Sequence, residues 1–132
     1  MADEKHVLWV EDDSDDREIF SEILKKMDQE INCDFAHNAT EAFSKLDSKN
    51  DIPSLIILDV NMPGINGLSC LSKLKSDRRF NQIPVAMLST SKNPTDVETA
   101  MNLGAVLYLT KPVSLQSLEK KIKNMFLLTG LL

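Results

Sequence analysis

Short runs of apolar residues alternate along the chain with longer stretches in which apolar residues recur every three or four positions. The short runs are typical of strands buried on both faces, and the longer stretches are typical of helices with one apolar face. The predicted strands are about His6–Val10, Ile31–Ala36, Ser54–Leu58, Ile83–Leu88 and Ala105–Leu109. Five strands alternating with five helices predict an α/β fold, a doubly wound parallel sheet covered on both faces.

Polar residues and glycines mark the ends of the predicted helices. The predicted caps or starts, in chain order, are Ser14, Asn38, Asn93 or Thr95, and Ser114, while Gly64 and Gly67 bracket a loop before the third helix. The first helix is expected over about Asp15–Met27, and a loop is expected from Lys49 to Pro53. The fourth helix should end at Gly104 and turn four apolar residues inward, namely Val97, Ala100, Met101 and Leu103. The last helix is predicted to carry Leu115, Leu118, Ile122, Met125 and Phe126.

A chain of 132 residues can bury a core as one domain, which we expect over residues 1–132 with its core at about 6–128 and no output domain. The net charge of −5 disfavours nucleic-acid binding, because phosphate contacts need clustered positive charge. No apolar leader and no run of membrane-spanning length is present, so we expect a cytoplasmic protein. Cys33 and Cys70 lack metal-ligand spacing and are predicted to be buried free thiols.

Polar groups follow the predicted strands at one edge of the sheet. Glu11 and Asp12 follow the first strand, Asp59 the third, Ser89 the fourth and Lys111 the fifth. Because parallel strands point the same way, these side chains should meet at the carboxyl edge, where α/β sheets bind ligands. Clustered carboxylates raise one another's pKa or bind a cation, and oxygen ligands with open positions suit Mg²⁺. Carboxylate, metal, ammonium and hydroxyl together are the groups needed to phosphorylate Asp59.

Each of these residues alone has an ordinary explanation. An acidic run before a helix is usually a solvated helix start, a lone Asp after a strand usually caps a turn, and Lys-Pro is usually a loop. Their joint occurrence at successive strand ends favours the phosphoryl site over these separate explanations.

The chain resembles the receiver domain of response regulators from two-component phosphorelay systems, in its single-domain form similar to the chemotaxis regulator. The resemblance covers about His6–Phe126 and rests on the acidic pair Glu11-Asp12, the segment Leu58–Gly64, the segment Met87-Leu88-Ser89 and the pair Lys111-Pro112. It implies the receiver fold, which is flavodoxin-like with five strands in the order 2-1-3-4-5.

The resemblance also implies roles for the residues at the sheet edge. Asp59 would accept a phosphoryl group from the phosphohistidine of a sensor histidine kinase or a histidine phosphotransferase. The side chains of Asp12 and Asp59 and the backbone carbonyl of Asn61 would bind Mg²⁺, with Glu11 helping through water. Lys111 would pair with the phosphoryl oxygens.

Two further residues match the family's switch positions. Ser89 would turn to hydrogen-bond the phosphoryl group, and Tyr108 would move inward with it, which alters the face formed by helix 4, strand 5 and helix 5. That face would bind a downstream protein. The peptide bond between Lys111 and Pro112 is expected to be cis, as it is in relatives.

Other functions are weighed against this one. A phosphatase with an aspartate nucleophile needs a second Asp two residues on, where this chain has Asn61. A flavodoxin-like cofactor carrier needs a first loop that cradles phosphate, which the acidic residues 11–16 would repel. A non-phosphorylated adaptor with the receiver fold is the main alternative, although such proteins usually lose an acid or the lysine. We expect no enzymatic activity beyond the domain's own phosphorylation and dephosphorylation.

Charges on the last two helices permit a homodimer through the face of helix 4, strand 5 and helix 5. The fourth helix has acidic residues and the fifth has lysines, namely Asp96, Glu98, Lys120, Lys121 and Lys123. The apolar tail, which comprises Leu127, Leu128, Leu131 and Leu132, is expected to pack at the helix end, with a dimer contact as the alternative.

Overall fold

The computed structural model describes residues 5–27, 31–48 and 52–132. One sheet contains five parallel strands in the order β2-β1-β3-β4-β5. The strands are β1 (His6–Val10), β2 (Asn32–Ala36), β3 (Leu55–Leu58), β4 (Val85–Ser89) and β5 (Leu107–Thr110). The helices are α1 (Ser14–Lys25), α2 (Ala39–Ser48), α3 (Gly67–Ser76), α4 (Pro94–Leu103) and α5 (Leu115–Leu128). The predicted fold class and strand order are confirmed.

Successive residues of the central strands face opposite layers of the core, because side chains alternate along a strand. Leu8, Ile56 and Met87 face one layer, which includes buried residues of α2, α3 and α4. Trp9 and Ile57 face the other layer, which α1 and α5 cover with Phe20, Ile23, Ile122, Met125 and Phe126. Burial on both faces explains why β1, β3 and β4 are continuous apolar runs in the sequence.

Side-chain oxygens satisfy the free backbone N–H groups at the starts of the helices. The predicted caps Asn38, Asn93 and Ser114 are confirmed, since each accepts a hydrogen bond from an N–H in the first turn. The predicted N-cap of α1 is wrong by one residue, because Asp13 rather than Ser14 accepts hydrogen bonds from the backbone N–H groups of Asp15 and Asp16. Several adjacent polar residues could each have capped this helix, so the sequence did not distinguish them.

The end of α4 explains why β5 starts later than predicted. Gly104 has the left-handed φ of 108°, as expected for a helix C-cap. The N–H of Ala105 donates to the carbonyl of Ala100 at 3.0 Å, so Ala105 completes the end of the helix instead of joining the sheet. Met101 was predicted to face inward but is 44% exposed, because the core side of α4 is narrow and centres on Ala100.

The predicted packing of the apolar tail at the helix end is confirmed for two of its four leucines. Leu131 is buried and Leu132 packs beside it, in the layer formed by α1 and α5. Leu127 and Leu128 are exposed, and so is Leu115 at the other end of α5. The tail therefore splits into two residues that pack and two that face outward.

Other predictions meet mixed outcomes in the described residues. Cys70 is buried, whereas Cys33 is only half-buried, on the edge strand β2. Residues 49–51 of the predicted loop Lys49–Pro53 lie outside the described ranges. Among the helices within those ranges, none combines the length and the apolar character needed to cross a membrane.

The charges of α4 and α5 do not all face one another. Asp96 accepts a hydrogen bond from the Ser91 hydroxyl at 2.6 Å, and Lys121 donates to the carbonyl of Thr110 at 2.9 Å. Lys123 lines a cavity beside α1, on the other side of α5. Asp96 and Lys121 thus have partners within the chain, and the homodimer through this face stays a prediction.

Candidate functional site at the carboxyl edge of the sheet

The carboxyl ends of β1, β3 and β5 bring three predicted site residues into contact. The Lys111 ammonium nitrogen Nζ lies 2.6 Å from Glu11 Oε1 and 2.9 Å from Asp59 Oδ2. Glu11 and Asp59 are separated by 48 positions in sequence and Lys111 by a further 52, so only the parallel topology brings them together. The structure thus places the predicted acid, acceptor and cation in one cluster.

Backbone contacts hold Glu11 in the interior. Its N–H donates to the carbonyl of Ala36 at 2.9 Å, which extends the pairing of β1 with β2 by one residue. Its own carbonyl accepts a hydrogen bond from Arg17 at 2.9 Å, and Glu11 is 2% exposed. Burial raises the pKa of Glu11 to about 7, although the hydrogen bond and the charge of Lys111 act in the opposite direction.

Lys111 stays charged within this cluster. Burial alone would lower the pKa of its ammonium group, but the hydrogen bonds and negative charges of Glu11 and Asp59 outweigh burial and raise it. The pKa values of both Glu11 and Lys111 therefore lie above their usual ranges. Lys111 is therefore the positively charged partner of two buried carboxylates.

Both carboxylate oxygens of Asp59 have a donor. Oδ1 accepts a hydrogen bond from the backbone N–H of Asn61 at 3.0 Å, and Oδ2 accepts one from Lys111. Asp59 is 5% exposed, so its orientation is fixed at the bottom of the site. Sequence reasoning had assigned the backbone carbonyl of Asn61 to the metal, and the structure adds a role for its N–H.

The start of α3 packs against the backbone of Asp59. A Cβ atom built on Gly67 would lie inside contact distance of the Asp59 carbonyl oxygen and 2.9 Å from the Cα of Val60. The N–H of Gly67 donates to the carbonyl of Val60 at 3.0 Å. Gly67, which the sequence showed only as the end of a loop, therefore permits the close approach that positions Asp59.

Three carboxylates at this edge are suited to a divalent cation. Glu11, Asp12 and Asp59 each offer one ligand atom, and these atoms lie within 4.8 Å of one another. Asp12 is exposed while the other two are buried, which is the arrangement of a site open to solvent on one side. Mg²⁺ prefers oxygen ligands and keeps several waters, so the residues present fit it. Asp13 caps α1 and is occupied there.

The residues at the switch positions are linked through Ser91. The Ser89 hydroxyl oxygen, fully buried at the end of β4, accepts a hydrogen bond from the N–H of Ser91 at 3.2 Å. The hydroxyl of Tyr108 donates to the Ser91 carbonyl at 2.8 Å. Ser89 and Tyr108 therefore hold the same loop between β4 and α4, a connection that the sequence did not reveal.

One member of the cluster was missed in the sequence. Asp16 Oδ2 lies 3.2 Å from Lys111 Nζ, so Lys111 has a third carboxylate partner. Asp16 lies in the first turn of α1 rather than at a strand end, and the strand-end rule therefore did not include it. Its only signal was its place in the acidic run that follows β1.

The expectation of a cis bond before Pro112 is wrong for this structure, because no peptide bond in the described residues is cis. The trans form is the more stable one for a bond before proline by about 0.5–1 kcal/mol, unless the surroundings select the other isomer.

Comparisons with known proteins show the family of this chain. A family model described as the response regulator receiver domain matches residues 7–123. Among curated relatives, the chemotaxis protein CheY1 of Helicobacter pylori is 36% identical over 117 residues, which cover 89% of this chain and 93% of the relative. The two-component response regulator ARR17 of Arabidopsis thaliana is 32% identical over 130 residues, covering 91% of this chain and 84% of the relative.

Solved structures show the same similarity. The phosphorylated cyanobacterial phytochrome response regulator RcpA has a TM-score of 0.87 at 29% identity, and the match covers 94% of this chain and 92% of that one. The Mn²⁺-bound form of response regulator Rcp1 has a TM-score of 0.84 at 30% identity, with coverage of 92% and 91%. The chain therefore belongs to the family of response-regulator receiver domains.

Proposed function

We propose that this domain is a phosphoacceptor switch in which Asp59 receives a phosphoryl group from a phosphohistidine donor. The observation that carries the proposal is the environment of the Asp59 carboxylate. One of its oxygens is bound by the Asn61 N–H and the other by Lys111, beside the carboxylates of Glu11 and Asp12. A nucleophile held in one orientation next to a fixed cation is arranged for transfer of a phosphoryl group.

The residues of the site would divide the work between them. Glu11, Asp12 and Asp59 would hold Mg²⁺, which when bound neutralises negative charge on the phosphoryl oxygens. Asp59 would attack the phosphorus, and the histidine nitrogen of the donor would leave. The ammonium of Lys111 would then bind a phosphoryl oxygen, and its raised pKa keeps it charged for that contact.

The effect of phosphorylation would reach the surface through the loop between β4 and α4, because Ser89 and Tyr108 both hydrogen-bond to the backbone of Ser91 in that loop. If Ser89 turns toward a phosphoryl oxygen, its hydroxyl oxygen gives up the hydrogen bond from the Ser91 N–H. Because the Ser91 carbonyl also accepts the Tyr108 hydroxyl, movement of this loop changes the position of Tyr108 on β5. Exposed Met101 on α4 and Val106 before β5 give this side apolar surface for a downstream protein.

The donor would be a sensor histidine kinase or a histidine phosphotransferase, and the domain would catalyse at most its own phosphorylation and dephosphorylation. Asn61 supports this restriction, since its amide cannot serve as the second carboxylic acid of an aspartate-nucleophile phosphatase.

The test is phosphorylation by a small acyl phosphate or phosphoramidate in Mg²⁺, followed by intact mass spectrometry. We expect one phosphoryl group per chain, lost on treatment with hydroxylamine, which cleaves acyl phosphates but leaves phosphoserine intact. The control is Asp59→Asn, which keeps the shape of the site but lacks the nucleophile. Label that persists in this variant or resists hydroxylamine contradicts the proposal, and complete absence of label in the unchanged chain favours the adaptor.

A further inference from the structure

The hydrogen-bonding capacity of Lys111 is completely used in this structure. An ammonium group has three N–H donors. Lys111 Nζ has three carboxylate partners, Glu11 at 2.6 Å, Asp59 at 2.9 Å and Asp16 at 3.2 Å. A phosphoryl oxygen that binds Lys111 must therefore compete with these partners, of which Glu11 and Asp16 remain carboxylates when Asp59 is phosphorylated.

Asp16 is the partner that is easiest to release. Its distance to Lys111 is the longest of the three, and its side chain is 34% exposed, against 2% for Glu11 and 7% for Asp59. A partly exposed carboxylate that leaves the ammonium is solvated by water, whereas a buried one would be left unpaired in the interior, which is far less favourable. Glu11 and Asp59 are in addition part of the candidate metal site.

Asp16 adds a further carboxylate to the partners of Lys111. The carboxylates of Glu11, Asp12 and Asp59 carry three negative charges when ionised, which Lys111 and one divalent cation would neutralise. The carboxylate of Asp16 adds a fourth negative charge beside Lys111. An incoming phosphoryl group brings further negative charge, so Asp16 repels it and competes with it for the same ammonium.

We propose that Asp16 is a positioning residue that holds Lys111 in the unphosphorylated domain and is exchanged for a phosphoryl oxygen. This inference rests on the proposed function. Asp16 thereby opposes the phosphorylated state and sets how tightly the site holds a phosphoryl group. Asp16→Asn, which keeps the size of the side chain and removes its charge, should bind beryllofluoride more tightly than the unchanged chain by about 1.4- to fivefold, the range that measured exposed charge pairs give.

Beryllofluoride, a stable mimic of the phosphoryl group, is titrated in saturating Mg²⁺ and followed by the fluorescence of Trp9. Trp9 stacks on Phe20 with ring centroids 4.2 Å apart, and Lys111 Nζ lies 5.8 Å from the centre of the Phe20 ring. The Phe20 ring therefore connects the indole to the ammonium group. Calorimetry of the same titration gives an independent dissociation constant.

Two variants serve as controls. Asp15→Asn removes the same charge from the same exposed first turn of α1 but from a residue that is not a partner of Lys111. Asp16→Glu restores the charge and should bind beryllofluoride within about twofold of the unchanged chain, since surface charge swaps that keep the sign change little. Thermal melts verify folding, and Asp16→Ser replaces Asp16→Asn if the latter does not fold.

The outcomes separate the two proposals. Tighter binding by Asp16→Asn than by Asp15→Asn, with Asp16→Glu near the unchanged chain, supports the role of Asp16. Equal binding by Asp16→Asn and Asp15→Asn overturns it, because Asp16 would then act only through the net negative charge of the surface. Weaker binding by Asp16→Asn also overturns it, because Asp16 would then help to hold Lys111 for the phosphoryl group. Failure of the unchanged chain to bind beryllofluoride would instead refute the proposed function.

Discussion

Helix α3 approaches the backbone of Asp59, the proposed phosphoryl acceptor, so closely that a substitution at Gly67 has two effects of opposite sign. Gly67 is the first residue of α3, and replacing it with alanine favours the helix by at most about 1 kcal/mol, the difference between these residues in a helix interior. From helix propensity alone, Gly67→Ala should stabilise the domain. The surroundings of Gly67 predict the reverse.

The added methyl group would overlap the Asp59 carbonyl oxygen and lie 2.7 Å from its carbonyl carbon. Both atoms belong to the backbone, so no flexible side chain can move aside. Overpacking of this kind typically costs about 1–3 kcal/mol. The net expectation is that Gly67→Ala lowers the free energy of unfolding by up to about 2 kcal/mol, after a propensity gain of up to about 1 kcal/mol is subtracted from the cost of overpacking. Relief of the overlap must displace Asp59, so Mg²⁺ affinity should fall as well.

Urea denaturation with and without Mg²⁺ measures both effects. The matched control is Gly64→Asn in the preceding loop. Gly64 has a φ of 75° and nothing within 4 Å of a built Cβ, and asparagine tolerates the left-handed region. Gly64→Asn should therefore leave Mg²⁺ affinity unchanged. If Gly67→Ala were as stable as the unchanged chain and bound Mg²⁺ equally well, the contact with Asp59 would not position the acceptor.

Three further predictions concern the buried groups. Cys70 should react with Ellman's reagent at pH 8 only after unfolding, because burial raises the pKa of its thiol to about 12 and leaves almost no thiolate. Lys111→Met should cost about 3 kcal/mol in urea without divalent cation, because it leaves buried carboxylates unpaired, and Mg²⁺ should restore part of that loss. Leu131→Ala should cost about 2–4 kcal/mol, while exposed Leu128→Ala should change stability by less than about 0.5 kcal/mol, both by thermal melts.

The sequence was sufficient to predict the sheet because burial on both faces produces an unmistakable pattern. The strands β1, β3 and β4 lie in the middle of the sheet, and their apolar runs mark them directly. The rule that parallel strands share a carboxyl edge then placed Glu11, Asp59 and Lys111 together, although no local feature links them.

What the sequence could not show depends on distances within the folded chain. Asp16 reaches Lys111 only because α1 packs over the end of β1, and nothing in the acidic run distinguishes it from Asp15. The role of Gly67 depends on how closely α3 approaches Val60, a spacing that tertiary packing sets. The shared loop residue Ser91 was likewise invisible, because its links to Ser89 and Tyr108 use its backbone groups, which every residue has.

The acidic cluster is better explained by ligand binding than by stability. Buried ion pairs seldom stabilise a fold relative to apolar residues of similar size, because desolvation cancels most of the attraction. Here both sides of that balance are present, since burial raises the pKa of Glu11, whereas the hydrogen bonds and charges of Glu11 and Asp59 raise the pKa of Lys111. The three carboxylates Glu11, Asp12 and Asp59 beside one ammonium fit a divalent cation, which would supply further positive charge there. Mg²⁺ that binds the native state and not the unfolded chain should then stabilise the domain in proportion to the logarithm of its concentration, which links the charge of the site to its proposed use.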